Sequence, residues 1–172
     1  ASSTAGPRLR GLLASAETLA AFRVAVSLVL LFSAELHGAV RVAAQPPSLH
    51  IAPEGLGWLL AHVPITTALA RVAHGLAVFG AVATLLGVYT SLAAPVLFVG
   101  AFYLLALGQL AGTVVHDMHL VWFAAILAVS PCADVWSVDA WWERRTTGAP
   151  PNQWSSPSLR YGIPVWTARS LI

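Results

Sequence analysis

Two histidines and an aspartate, His116, Asp117 and His119, lie at the start of a long apolar run. Side chains three residues apart share one helix face, so the two imidazoles could hold a metal or exchange protons with an organic ligand. An HxxH pair without a carboxylate at the same depth favours solvated histidines, and we expect no metal. Single membrane histidines also ligate haem or chlorophyll, so a pigment stays an open alternative although the CxxCH haem motif is absent.

Composition limits the class of protein and the kinds of chemistry to which these residues can belong. The 172 residues are 58% hydrophobic and 9% charged, with a mean hydropathy of +0.75, whereas a soluble domain carries roughly 25% charged residues. The chain is therefore predicted to be an integral membrane protein. Its nine arginines are too scattered for nucleic-acid binding, and it contains no lysine, which excludes lysine chemistry in the chain as given. A single cysteine, Cys132, excludes an internal disulfide.

Hydropathy predicts an all-α bundle of four transmembrane helices, each near the ~20 residues that a bilayer core requires. The four predicted spans are 19–40, 67–88, 91–112 and 118–136. Val88, Tyr89 and Thr90 leave only a tight turn, so spans two and three should form a hairpin. A short interfacial helix is expected near 53–63, and a polar, Pro-rich loop at 143–164 should precede the start of a fifth helix.

Three regions follow from this pattern: an N-terminal segment 1–17, a transmembrane domain 18–136, and a Trp/Pro-rich segment 137–172 that carries the start of the fifth helix. Because the chain begins without methionine and stops in an apolar stretch, we expect it to be a piece or a processed form of something longer. Arginines before span one and after span four predict that both termini are cytoplasmic, in a plasma or inner membrane. Most tryptophans follow span four and should lie along that membrane surface.

With this orientation, polar groups from all four spans collect in one layer near the outer face. The candidate ligand-binding residues are Glu35, His74, Gln109, His116 and His119. Ionisable groups in spans usually face the bundle interior and mark a site. We expect a small cavity here that holds a quinone headgroup or a lipid. His37, Arg41 and Arg71 could equally extend to the headgroups. Arg23 lies in the inner half, about 18 Å along the helix from Glu35, so these two cannot pair.

A family resemblance covers nearly the whole chain. The segment HDMHLVWFAAILAVSPCADVWSVDAWW resembles the end of the fourth helix of the HTTM domain, the membrane domain of vitamin K-dependent gamma-glutamyl carboxylase. Three other stretches are similar to that family in order: LAAFRVAVSLVLLF resembles its first helix, LLGVYTSLAAPVLFV its hairpin, and YGIPVWTARSLI the entry into its next helix. The resemblance is strongest at 130–139.

The resemblance assigns roles that the chain only partly matches. His116 falls where the family has an active-site histidine that supports the deprotonated quinol, which makes it the matched catalytic candidate. The family's basic lysine would lie beyond Ile172, and Thr90 stands where an arginine is common. We therefore expect a non-catalytic accessory subunit of a larger respiratory or photosynthetic membrane complex, with lipid and other subunits as partners. The alternative is a fragment of a quinol-dependent, carboxylase-like enzyme.

Overall fold

The computed structural model describes residues 13–51, 62–110, 118–148 and 157–171. Within these ranges the chain contains helices, turns and one isolated β-bridge, and no strand. The helices are α1 (Ala16–Phe32), α2 (Ala34–Ala43), α3 (Thr67–Leu86), α4 (Thr90–Gln109), α5 (Met118–Val129), α6 (Val138–Thr147) and α7 (Leu159–Ser170), with a short 3-10 turn at Pro47–Leu49. His116, Asp117 and most of the predicted interfacial helix at 53–63 fall outside the described residues.

The first predicted span is two helices instead of one. Ser33 leaves the helical conformation (φ −64°, ψ 121°), and its hydroxyl accepts a hydrogen bond from the amide of Leu36 at 3.2 Å. Serine offers the backbone this local alternative to helix continuation, so it ends α1 and caps α2. The two helices meet at a bend of 42°. An uninterrupted helix over 19–40 was therefore wrong.

Helices α3 and α4 form the predicted hairpin, and they pack closely. Gly87 ends α3 in the left-handed conformation (φ 70°) that favours glycine. Farther along, a Cβ on Gly80 would lie 2.8 Å from the backbone nitrogen of Leu97, and a Cβ on Gly100 would lie 3.1 Å from the backbone nitrogen of Ala77. Small residues thus let the two backbones approach, as in membrane helix pairs.

The later part of the chain differs from the sequence prediction at its boundaries. Helix α5 ends at Val129 instead of continuing to 136, because Pro131 cannot donate an amide hydrogen and disfavours helix at the residue before it. Helix α6 occupies part of the stretch predicted as loop, and α7 begins at Leu159, earlier than expected.

Two to three helices in the described part could cross a membrane. Helices α3 and α4 have 20 residues each and are apolar enough, and the bent pair α1–α2 counts as a third if it forms one span. At 1.5 Å per residue, 20 residues extend about 30 Å, which is the thickness of a bilayer core. The described part of α5 has only 12 residues. The all-helical class is confirmed, whereas the fourth span remains a prediction.

Replacing Gly80 with alanine should destabilise the α3–α4 pair, because the new methyl group would meet backbone atoms that cannot rotate away. Overpacking of this kind costs about 1–3 kcal/mol. Gly75→Ala on the same helix is the matched control, since a Cβ there meets nothing within 4 Å. The unfolding midpoint in mixed detergent micelles should fall for Gly80→Ala and stay level or rise for Gly75→Ala. Equal midpoints would contradict the close packing.

Candidate functional site

Arg23 is fully buried in α1 and reaches a loop more than a hundred residues later. Its Nη1 donates to the carbonyl of Cys132 at 2.7 Å, and its Nη2 donates to the carbonyl of Trp136. Helix α5 has ended before these residues, so their carbonyls lack helical partners. One guanidinium therefore holds both ends of the turn that follows α5.

The α3–α4 turn packs directly on this loop. A Cβ on Gly87 would lie 2.7 Å from the Cα of Ser137 and 3.2 Å from Nη1 of Arg23. Real side chains do not tolerate the first of these distances, and the positive φ of Gly87 disfavours other residues independently. The arginine, the turn and the loop thus require glycine at this position.

Asp139 joins the same loop to the start of α4. Its Oδ1 accepts from the amide of Tyr89 and its Oδ2 from the amide of Thr90, both at 2.8 Å, while its own amide donates to the carbonyl of Gly87 at 2.9 Å. A carboxylate at a helix N-terminus satisfies free amides and interacts favourably with the helix dipole. Ser137 caps α6 by accepting from the amide of Ala140 at 2.9 Å.

Helix α7 is attached through Asp134. The hydroxyl of Tyr161 donates to Asp134 Oδ2 at 2.8 Å, and Arg160 lies 3.4 Å from the same oxygen. All four stretches that carry the family resemblance therefore meet at one end of the molecule. We call this meeting point, made by Arg23, Gly87, the 132–139 loop and Tyr161, the Arg23 junction.

Farther from the Arg23 junction, at the break between α1 and α2, the structure brings two histidines together. His37 Nδ1 lies 2.8 Å from His74 Nε2, and His37 Nε2 lies 2.7 Å from the carbonyl of Leu31. That carbonyl belongs to the last turn of α1, next to the break at Ser33. The sequence left open whether His37 extends to the headgroups or faces the bundle, and its partnership with His74 was missed.

The other predicted ligand residues occupy different positions. Glu35 is on the first turn of α2, where it accepts from the Ser33 hydroxyl at 3.4 Å. On α4, Gly100 packs beside Ala73, the neighbour of His74 on α3. Gln109 is the last residue of α4 and lies about 13 Å farther along that helix than Gly100. His119 is exposed on the first turn of α5. Gln109 and His74 thus lie at different levels, and the cavity formed with His116 remains a prediction.

The described residues offer no metal site, since they contain no group of three or more histidine, cysteine, aspartate or glutamate side chains that could hold one. An apolar groove of about 550 Å³ lies beside α3 and α4, and Glu35, His74, Gln109 and His119 are not among the residues that line it. Comparisons with protein-family models, curated proteins and solved structures find no match. The resemblance to the HTTM family therefore stays a proposal.

Replacing Asp139 with asparagine should weaken the Arg23 junction. Asparagine has one neutral oxygen in place of two charged carboxylate oxygens, so at least one of the two backbone amides loses its acceptor. Hydrogen bonds to charged groups contribute about 1.5–3 kcal/mol, so we expect a loss of about 2 kcal/mol in the free energy of unfolding. Glu143→Gln, an exposed change on the same helix, should change it by less than about 0.5 kcal/mol. If both variants unfold alike, the carboxylate does not hold α4.

Tyr161 should make stability fall at alkaline pH. Burial and the hydrogen bond to Asp134 raise the pKa of this phenol to about 12 from an ordinary value of 10.0. Between these two pH values the phenol stays protonated in the folded state and ionises in the unfolded state. The contribution of Tyr161 to the free energy of unfolding is therefore fully present below about pH 10 and is lost as the pH rises through about 12. The unfolding midpoint of the wild type should decline over this window relative to Tyr161→Phe. Parallel profiles would exclude the Tyr161–Asp134 bond as the cause.

Proposed function

We propose that the chain is a four-span, HTTM-like membrane scaffold that serves as a non-catalytic accessory subunit of a larger respiratory or photosynthetic complex. The observation that supports this most is that the charged side chains of the Arg23 junction bind groups of the chain itself. Arg23 binds carbonyls, Asp139 binds amides and Asp134 binds a phenol, all within the chain. Catalytic groups, by contrast, face a cavity where a substrate can reach them.

Exposed tryptophans support an interface at the same end. Trp136, Trp141 and Trp142 are 60%, 47% and 63% exposed around α6, and the guanidinium of Arg145 lies 4.3 Å above the Trp141 ring. Indole rings favour the lipid headgroup layer and protein interfaces. In our proposal this surface faces the cytoplasmic side of the membrane and contacts a neighbouring subunit.

The arginine distribution supports that orientation. Arg144 and Arg145 follow the Arg23 junction directly, and the positive-inside rule assigns such a cluster to the cytoplasm. Both termini are then cytoplasmic, and the His37–His74 pair is at the outer end of the spans. A quinone headgroup or a lipid remains the proposed ligand of that outer layer.

Assembly can be tested with the tagged full chain in its native membrane. After extraction in two mild detergents, the chain should migrate in one complex of fixed stoichiometry, well above its own 18.1 kDa. Asp139→Asn should reduce the amount in this complex, whereas Glu143→Gln should not.

The contradicting result is equally specific. Migration as a monomer in both detergents would overturn the accessory role. If the same membranes also carboxylate glutamate in a peptide in the presence of a reduced quinone, and His116→Ala abolishes that activity, the enzyme alternative is correct.

A further inference from the structure

Helices α2 and α3 run antiparallel beside the histidine pair. His37 contacts His74 at 2.8 Å, and the hydroxyl of Thr67 donates to the carbonyl of Ala43 at 3.5 Å. Moving toward the end of α2 therefore means moving toward the start of α3. Residues one turn beyond each histidine in this direction lie at the same level.

Those positions are occupied by Arg41 and Arg71. Arg41 follows His37 by four residues and Arg71 precedes His74 by three, so each arginine shares a helix face with its histidine. Both arginines are exposed, and neither makes an ion pair with a carboxylate in the described part of the chain. Two helices thus present a pair of guanidinium groups beside a pair of imidazoles.

The guanidinium of Arg41 lies back along α2, at the level of Gly38. Its Nη2 is 3.8 Å from the position of a Cβ on Gly38, and Gly38 is next to His37. An arginine that only extends to the membrane surface would point away from the middle of its span. Gly75, next to His74, has nothing within 4 Å of a built Cβ. The guanidinium thus lies beside Gly38, and the space beside Gly75 is open at the level of the imidazole pair.

The histidine pair can supply a hydrogen-bond donor to that space. A carbonyl only accepts, so His37 Nε2 carries the hydrogen that Leu31 receives. In the neutral pair His37 Nδ1 then accepts from His74 Nε2, which leaves His74 Nδ1 as an acceptor. One added proton, on either ring, leaves a hydrogen on His74 Nδ1 and keeps the bond between the rings. A second proton would put hydrogens on both facing nitrogens and break that bond.

We propose that Arg41, Arg71 and the singly protonated His37–His74 pair bind the phosphate group of an anionic phospholipid. Phosphodiester oxygens only accept hydrogen bonds, which matches two guanidinium groups and one N–H donor. The site lies near the end of the candidate spans, where lipid phosphates are found. The inference rests on the membrane placement in the proposed function and not on the accessory role.

Binding then takes up one proton, so it strengthens as the pH falls. Glu35 and Arg41 are the charged groups of α2, and Arg71 is that of α3. Helix α1 carries Glu17 and Arg23 toward its other end, and the titratable Tyr103 of α4 donates to the carbonyl of Pro64. Glu35, two residues before His37, and His50, whose Nε2 lies 3.2 Å from the carbonyl of Val42, also lie near the site, so the His74→Gln variant is needed to show that the imidazole pair takes up the proton.

The experiment measures lipid binding to the purified, delipidated full chain by native mass spectrometry. Phosphatidylglycerol is titrated at pH 5.5 and pH 8, with phosphatidylcholine as the zwitterionic reference. Arg41→Gln and His74→Gln should each weaken phosphatidylglycerol binding about tenfold, as expected for the loss of one charge-assisted hydrogen bond. Arg144→Gln, at the opposite end, is the matched control and should change the affinity less than about twofold.

Each outcome decides the matter. Stronger phosphatidylglycerol binding at pH 5.5 that His74→Gln abolishes supports the proposal. Unchanged affinity in Arg41→Gln, which removes an exposed side chain and should fold normally, overturns it. Full competition by millimolar inorganic phosphate also overturns it, because the site would then serve a soluble anion. Incorporation of all variants into phosphatidylcholine nanodiscs separates these results from a failure of the membrane placement itself.

Discussion

The fold depends on how the buried charge of Arg23 is satisfied. Arg23 is completely buried in α1, which is part of a candidate span, and an arginine inside a span costs roughly 2.5–3.5 kcal/mol on insertion scales. It reaches the carbonyls of Cys132 and Trp136, while its Nε has no partner among the described residues. The loop after α5 must therefore stay next to α1. That placement brings Asp139 to the start of α4 and Asp134 to α7.

The two ends of the molecule differ in how their polar groups are used. At the Arg23 junction, short bonds within the chain join α1, the α3–α4 turn, α6 and α7. At the other end, the bend at Ser33 leaves α2 attached to α3 through the His37–His74 bond. Two exposed arginines accompany that bond without an ion pair in the described residues. The Arg23 junction thus joins several helices, and the other end is where we propose that a phospholipid binds.

Sequence patterns predicted those features of the fold that depend on neighbouring residues in the chain. Apolar runs indicated the helices, and the tight turn at 88–90 indicated the hairpin. The break at Ser33 was missed because one serine in an apolar run changes hydropathy little, although it can cap a new helix. The partners of Arg23 were missed because backbone carbonyls carry no sequence signal. An arginine in an apolar run and the aspartates of the 130–139 segment were the available hint, since charged side chains in such surroundings need partners. His116 lies outside the described residues, so its role remains a prediction.

A double-mutant cycle between Arg23 and Asp139 tests the central role of the junction most directly. Arg23→Gln and Asp139→Asn change two groups held to the same loop, and the unfolding free energies of the single and double variants give their coupling. We predict a coupling of at least about 0.5 kcal/mol, the range for residues in one network. The cycle of Arg23→Gln with Glu143→Gln should give a coupling near zero. Additive effects in both cycles would contradict the account, because Arg23 and Asp139 would then act independently.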